Sequence, residues 1–483
     1  MHYNVIRRIS GLLLCLFSIT MLPPIAVSFI YNEQNHQPFV IGFLAIFFTG
    51  FLLWLSAKNA KEELRTRDGF IIAALFWLSL GLSGSIPFYV TSIHSLSLTD
   101  AIFESISGLT TTGATVMTGL DTLPKSILFY RQQLQWLGGM GIIVLAVAIL
   151  PMLGIGGMQL YKAEAPGPVK DAKLTPRITA TAKALWEIYL GLTIACTLAY
   201  WAGGMTFFDA ISHSFSTVSI GGFSTHDANF AFFDSSTLNY ICIGFMFIAG
   251  INFALHFKAA HSLNAKLYSE NSEFKAYFFT LTAHVLIVLA VLLAYSSYGS
   301  VSDTIEHTLF QVVSFATTSG FTTANYPLWP SFIPVLLVFV SFYGGCAGST
   351  AGGMKVIRVL IMFKQLSKEA THLIHPHANM PVKLDRHVVA RPVLQAVWGF
   401  FAAYILSFGV LMMLMMATGL DQVTAFSAVA ATINNLGPGL GDVSSNFASL
   451  SDASKWVSCF AMLLGRLEIF TLLILFTPMF WRD

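Results

Sequence analysis
The sequence predicts an all-α integral membrane protein. Four pseudo-repeats of span, half-length pore helix, glycine filter loop and span would surround one central pore, after an N-terminal two-helix hairpin. Three observations carry that prediction. The 483-residue chain is 55% hydrophobic and 10% charged, with a mean hydropathy of +0.69, whereas soluble domains carry about 25% charged residues. About ten apolar runs approach the roughly 20 residues that cross a bilayer. Four glycine-centred segments recur: Thr111-Thr112-Gly113-Ala114-Thr115, Ile220-Gly221-Gly222-Phe223-Ser224, Thr318-Ser319-Gly320-Phe321-Thr322 and Asn435-Leu436-Gly437-Pro438-Gly439. Their central glycines lie 109, 98 and 117 residues apart, the near-equal spacing of a fourfold unit written on one polypeptide.

The chain opens with Arg7-Arg8 and an apolar run that continues through Pro23-Pro24 to Ile30 without a small-residue cleavage site, so it reads as a first span rather than a signal peptide. Spans follow at 9–31, 38–57, 69–91, 127–155, 181–202, 236–258, 276–297, 331–362, 393–417 and 455–479. They divide the chain into a hairpin (1–68) and repeats at 69–180, 181–274, 275–392 and 393–483. Cys15, Cys196, Cys242, Cys346 and Cys459 sit in apolar stretches without metal-ligand spacing and read as small buried side chains.

Positive charge alternates sharply between connections. One set holds Arg7, Arg8, Lys58, Lys61, Arg65, Arg67, the lysines and arginine of 162–183, Lys258, Lys266, Lys275, the basic residues of 355–391 and Arg482. The other holds only Lys125 and Lys455. The positive-inside rule places the first set, and both termini, in the cytoplasm. Twelve of the 24 acidic residues, including Asp100, Glu104, Asp121 and Asp209, fall on the opposite side, which would concentrate cations there.

Segments 98–112, 207–221, 305–319 and 422–436 are too apolar for free loops and too short to cross. Counting back 13 from each central glycine gives Asp100, Asp209, His307 and Thr424 as helix starts, with Asp100 and Asp209 as N-caps. About 11 helical residues cover roughly 16 Å, half the hydrocarbon core. Such a helix returning as extended backbone is tolerated only inside protein or along a water-filled cavity. Glycine supplies the positive φ that aligned carbonyls require. No carboxylate lies in the four loops, which disfavours a calcium-type ring and favours a weakly hydrated monovalent cation held by carbonyls.

Gly344, Gly345, Gly348, Gly352 and Gly353, with Ser349-Thr350, interrupt an otherwise apolar span. Each glycine costs about 1 kcal/mol in a helix interior, so the span is expected to unwind there, close helix packing through small residues being the alternative. Arg466 lies inside the last span, where a charge costs at least about 2.5 kcal/mol and must face a cavity or a partner such as Glu468 or a carbonyl. Arg131, Gln132, Gln133 and Gln135 read as hydrogen-bonding braces behind the pore. Lys355 reads as the marker of a cytoplasmic helix end, and His372, His375 and His377 as solvated loop residues.

These motifs, together with Gly344-Gly345-Cys346-Ala347-Gly348-Ser349-Thr350, resemble the superfamily of bacterial K⁺ transporters that includes TrkH and KtrB, and the resemblance runs end to end. It implies a pore-forming subunit, not an enzyme, that takes up K⁺ through the inner membrane as a homodimer. The filter would be formed by carbonyls of Thr111, Thr112 and Gly113, Ile220, Gly221 and Gly222, Thr318, Ser319 and Gly320, and Asn435, Leu436 and Gly437. The break at 344–353 would be an intramembrane gating loop, with Arg466 helping to bar the closed path. Ala351 stands where the resemblance leads one to expect another glycine, which implies a stiffer loop. The implied partner is a cytosolic RCK-type, TrkA-like regulatory ring that binds NAD and ATP/ADP, docked on the 157–183 loop and the histidine-bearing loop. The chain has no Walker or dinucleotide motif in the right context and binds no cofactor of its own, K⁺ being cargo. Two alternatives stand beside this reading: a symporter coupling K⁺ to H⁺ or Na⁺ through Glu104, Arg466 or Glu468, and a non-transporting membrane sensor subunit.

Overall fold
A computed structural model describes residues 2–60, 65–91, 96–139, 141, 178–330, 332–377, 380–385 and 387–482. The chain is a multi-pass membrane protein. Its long apolar helices are α1 (Tyr3–Ile30), α2 (Gln37–Ala57), α3 (Arg67–Val90), α6 (Ile178–Ala202), α10 (Ser272–Ala294) and α14 (Arg391–Ala417). Between them lie four shorter helices, of 12, 12, 17 and 12 residues: α4 (Leu98–Leu109), α7 (Phe207–Val218), α11 (Val301–Thr317) and α15 (Gln422–Ile433). Each is followed by a glycine segment and then by a further helix, α5 (Lys125–Gly139), α8 (Ser236–Ala249), α12 (Ile333–Tyr343) or α16 (Asp452–Arg466).

The spans expected at 236–258, 331–362 and 455–479 are not continuous. After α8 the chain turns by 94° into α9 (Phe253–Ser262), and after α16 it turns by 111° into 470–476. At the first bend Asn252 caps α9 by accepting the Ala254 N–H at 2.8 Å. At the second, Glu468 and Ile469 both adopt left-handed backbone, φ +54° and +59°. Between α12 and α13 (Val356–Ile374) the helix is interrupted at 344–355, as the glycines predict. Lys355 does not mark an exposed helix end: it is buried with φ +75°, and its Nζ turns back to donate to the Ala351 carbonyl. Six continuous helices, or eight when each bent pair is one span, are long and apolar enough to cross among the described residues. The end of the span expected at 127–155 and most of the basic loop at 157–183 lie outside the described residues.

The helix starts also move. The N-caps are Ser97, Thr206, Ser300 and Asp421, so Asp100 and Asp209 sit in the first turn, where their N–H groups donate to Ser97 and Thr206 Oγ atoms at 3.1 Å each. One departure from an all-α chain is a small antiparallel pairing, Lys383 opposite Val388 and Leu384 opposite His387.

Buried apolar side chains gather into two large groups. One draws mainly on residues 5–134 and 400–480, the other mainly on 189–356. Large apolar side chains such as Leu52, Phe279 and Leu406 remain exposed on the outer helices, the surface that lipid covers. In the N-terminal hairpin α1 crosses α2 at Gly11 and Gly50. A Cβ on Gly11 would lie 2.5 Å from Trp54 N, and one on Gly50 would lie 2.8 Å from Cys15 N. Overpacking typically costs about 1–3 kcal/mol, so Gly50→Val is expected to lower the melting temperature of the detergent-solubilised chain, read by tryptophan fluorescence.

Candidate functional site
Each half-length helix ends in the same way. The N–H of Thr112 donates to Ser107 O at 2.9 Å, and those of Gly221, Ser319 and Leu436 donate to Ser216, Ser314 and Ala431 O at 2.8 Å. This six-to-one bond belongs to the Schellman cap, which normally places glycine at its left-handed position. Here that position holds Thr111, Ile220, Thr318 and Asn435, with φ +56°, +56°, +67° and +54°. Left-handed backbone costs a residue with a Cβ about 1–2 kcal/mol, and such outliers persist only where surroundings impose them. Two residues on, Gly113, Gly222, Gly320 and Gly437 are left-handed again.

The four glycines close a cycle. A Cβ on Gly113 would overlap the Gly221 carbonyl oxygen, one on Gly222 the Ser319 oxygen, one on Gly320 the Leu436 oxygen, and one on Gly437 the Thr112 oxygen. Segment one thus leans on two, two on three, three on four and four on one. All twelve residues expected at the filter are brought together in this ring, at the C-terminal, partially negative ends of four helices.

Braces behind the ring come from the short helices and from α5 and α14. Glu104, nine residues before Gly113, takes Arg131 Nε at 2.8 Å, Thr115 Oγ1 at 2.9 Å and Val116 N at 3.0 Å. Arg131 also donates to Ser224 O at 2.9 Å and lies 4.2 Å from the Phe223 ring centre, so this buried pair ties segment one to segment two. At the corresponding position of the second helix, His213 Nε2 lies 3.0 Å from Ser224 Oγ, and in the third Gln311 Nε2 donates to Ala324 O at 3.1 Å. Gln135 spans the second segment, donating to Gly221 O at 2.6 Å while accepting the Phe223 N–H at 3.1 Å. In the fourth segment Asn435 Nδ2 donates to Thr112 Oγ1 at 2.9 Å, and the Tyr404 hydroxyl donates to Asn434 Oδ1.

Beneath the ring, the 344–353 loop and Arg466 meet the end of every short helix. Arg466 Nη1 donates to Thr111 Oγ1 at 3.2 Å, and Thr350 Oγ1 to Val218 O at 3.0 Å. Gly352 N donates to Thr318 Oγ1 at 2.7 Å, and Gly353 N to Asn434 O at 3.0 Å. Of the expected gate residues, Gly352 lies so close to Asn434 O that a Cβ would overlap it, while Gly344, Gly348 and Gly353 adopt positive φ. The Gly345 carbonyl accepts the Val356 N–H at 3.1 Å, joining the two ends of the loop. Ala351 packs its methyl among Ile220 and Ala249 directly under segment two. Arg466 also donates to the Gly138 and Gly139 carbonyls at the end of α5. Glu468 pairs with Arg358 at 2.5 Å. Sequence reasoning missed this pair, and its only signal is two charges in otherwise apolar stretches.

At the mouth, the two isolated lysines are engaged: Lys455 pairs with Asp100 at 2.7 Å, and Lys125 lies 4.0 Å from the Tyr31 ring centre. His226 Nδ1 bonds Asp121 at 2.5 Å, and its Nε2 lies 3.6 Å from Asp209. Burial disfavours its charge, but Asp209 and Asp121 outweigh that and raise its pKa above the ordinary 6.5.

A sequence profile described as TrkH, cation transport protein, matches residues 35–483. The Trk system potassium uptake protein TrkH of Vibrio parahaemolyticus is 56% identical over 485 residues, covering 100% of both chains. The protein of that name from Escherichia coli K12 is 53% identical over 483 residues, again with 100% of both covered. The crystal structure of the potassium transporter TrkH from Vibrio parahaemolyticus matches with a TM-score of 0.91 at 54% identity, covering 100% of both chains.

Removing one partner of a buried ion pair costs about 3–5 kcal/mol, so Arg131→Leu is expected to abolish the monodisperse peak in size-exclusion chromatography or strongly lower the melting temperature. Arg131→Lys should recover only part, lacking the guanidinium fork. The His226 bridge has a raised pKa, so its contribution is complete below about 6.5 and fades as pH rises through the raised value. The melting-temperature gap between the parent chain and His226→Gln should therefore be widest in mild acid and narrow in alkali.

Proposed function
This chain belongs to the TrkH family of cation transport proteins, and on that premise we propose that it carries K⁺ inward across the bacterial inner membrane through the glycine ring. The observation that carries this reading is the cyclic contact of Gly113, Gly222, Gly320 and Gly437 with the carbonyls of the neighbouring segments. A ring of backbone oxygens can stand in for the hydration shell of a weakly hydrated cation, and four helix ends add negative potential there. K⁺ and Rb⁺ pass, and Na⁺, which holds its water more tightly, passes less readily. A negative cell interior drives entry with about 2.3 kcal/mol per charge per 100 mV.

The architecture is four span–pore helix–filter–span repeats after the N-terminal hairpin. Counting α5, the α12–loop–α13 unit and each bent pair as spans gives ten, with both termini cytoplasmic. The 344–353 loop and Arg466 form the gate, held against the helix ends they now touch. A homodimer docks a nucleotide-binding regulatory ring on its cytoplasmic face, and that ring supplies the NAD and ATP/ADP control. Coupling to H⁺ or Na⁺ has less support, because Glu104 is committed to Arg131 and Glu468 to Arg358.

Bilayer recording of the purified chain in asymmetric K⁺ and Na⁺ tests conduction, with a reversal potential that follows K⁺ alone expected. Gly113→Ser, Gly222→Ser and Gly320→Ser each place a side chain on a neighbouring carbonyl at positive φ. Each should move the reversal potential towards that of a non-selective pore. An unchanged K⁺:Na⁺ permeability ratio in all three would sink the filter assignment.

A further inference from the structure
Glu273 is a buried carboxylate in the first turn of α10 that the proposed conduction path does not use. Capping of α10 does not require it either, since the Asn271 side chain accepts the Phe274 N–H at 2.8 Å. Glu273 reaches out of its own helix instead, and its Oε1 accepts the Ala347 N–H at 2.6 Å. Ala347 follows Cys346, whose own N–H donates to Gly250 O at 2.9 Å, at the point where the 344–353 loop begins. Lys355, at the far end of the loop, lies within its electrostatic reach. One side chain of α10 therefore holds the loop at its entry, at Ala347. A glycine-rich loop has little side-chain packing to fix it, so a short hydrogen bond at its entry matters more than it would in a helix.

We propose that Glu273 is a positioning residue of the intramembrane gate, tethering the 344–355 loop beneath the glycine ring so that loss of the carboxylate frees the loop to leave the pathway. This rests on the reading of that loop as the gate. The tether joins the loop to the face of the molecule that carries Lys266 and Lys275, so displacing the start of α10 or α13 would move the loop directly.

Cys346, 1% exposed and adjacent to the tethered amide, reports the loop position independently of ion flux. The test uses the full-length chain with Cys15→Ala, Cys196→Ala, Cys242→Ala and Cys459→Ala. It compares labelling of Cys346 by a small methanethiosulfonate reagent with Rb⁺ influx into proteoliposomes. Removing the acceptor of a buried N–H shifts a local two-state equilibrium about tenfold. Glu273→Ala is accordingly expected to speed labelling about tenfold and to raise Rb⁺ influx, with the near-isosteric Glu273→Gln in between because its amide oxygen still accepts. Labelling at the parent rate in both variants would overturn the tether. Faster labelling with unchanged influx would overturn the loop's role as gate, and the inference with it. No influx in the parent chain would overturn the conduction reading instead, leaving the labelling rates to decide the tether alone.

Discussion

Four short helices end side by side inside the molecule, and each leaves carbonyl groups that bulk water cannot reach. Unsatisfied backbone groups in hydrocarbon cost several kcal/mol each, so such ends persist only where the protein supplies partners. The repeated cap bond, as in Thr112 N to Ser107 O at 2.9 Å, satisfies part of the need. From outside, Thr350 Oγ1 donates to Val218 O at the second helix and the Gly353 amide to Asn434 O at the fourth, while Arg466 and the Gly352 amide hold the Thr111 and Thr318 hydroxyls at the first and third. Ring, braces and loop are successive answers to one constraint. That dependence explains why elements hundreds of residues apart converge on a single plane.

Charge is handled by the same economy. Glu104 with Arg131, and Arg358 with Glu468, each join two different parts of the chain. A buried pair is weak evidence of net stability but strongly fixes relative position, because breaking it strands a charge in a poor solvent. Here the first pair holds the wall behind the ring. The second holds helix α13 to the bend after Arg466.

The half-length helices and the glycine ring were legible because both are local: a run of apolar residues too short to cross, then a residue able to take positive φ. The order in which the four segments touch was not legible, since spacing along the chain does not say which neighbour a glycine faces. The first two helix starts were misplaced by about one turn because Ser97 and Thr206 act as caps, putting the more conspicuous Asp100 and Asp209 inside the first turn, and the third, capped by Ser300, begins well before the expected His307. The bend after Arg466 was hidden because Glu468 and Ile469, not glycines, take left-handed backbone there. Arg466 announced itself as a buried charge, but its carbonyl partners on α5 lie 327 and 328 residues away. Lys355 carried a misleading signal: a lysine after an apolar run suggests a membrane edge, whereas this one is folded inward.

A ring assembled from four identical chains can change only in all quarters at once. In this chain the four contacts are separately encoded, and the fourth already differs, with Pro438 beside Gly320 and Asn435 bonded to Thr112. One mutation therefore alters a single quadrant while three remain intact. The shape of the ring can then drift in small steps, each carried by one position of the sequence.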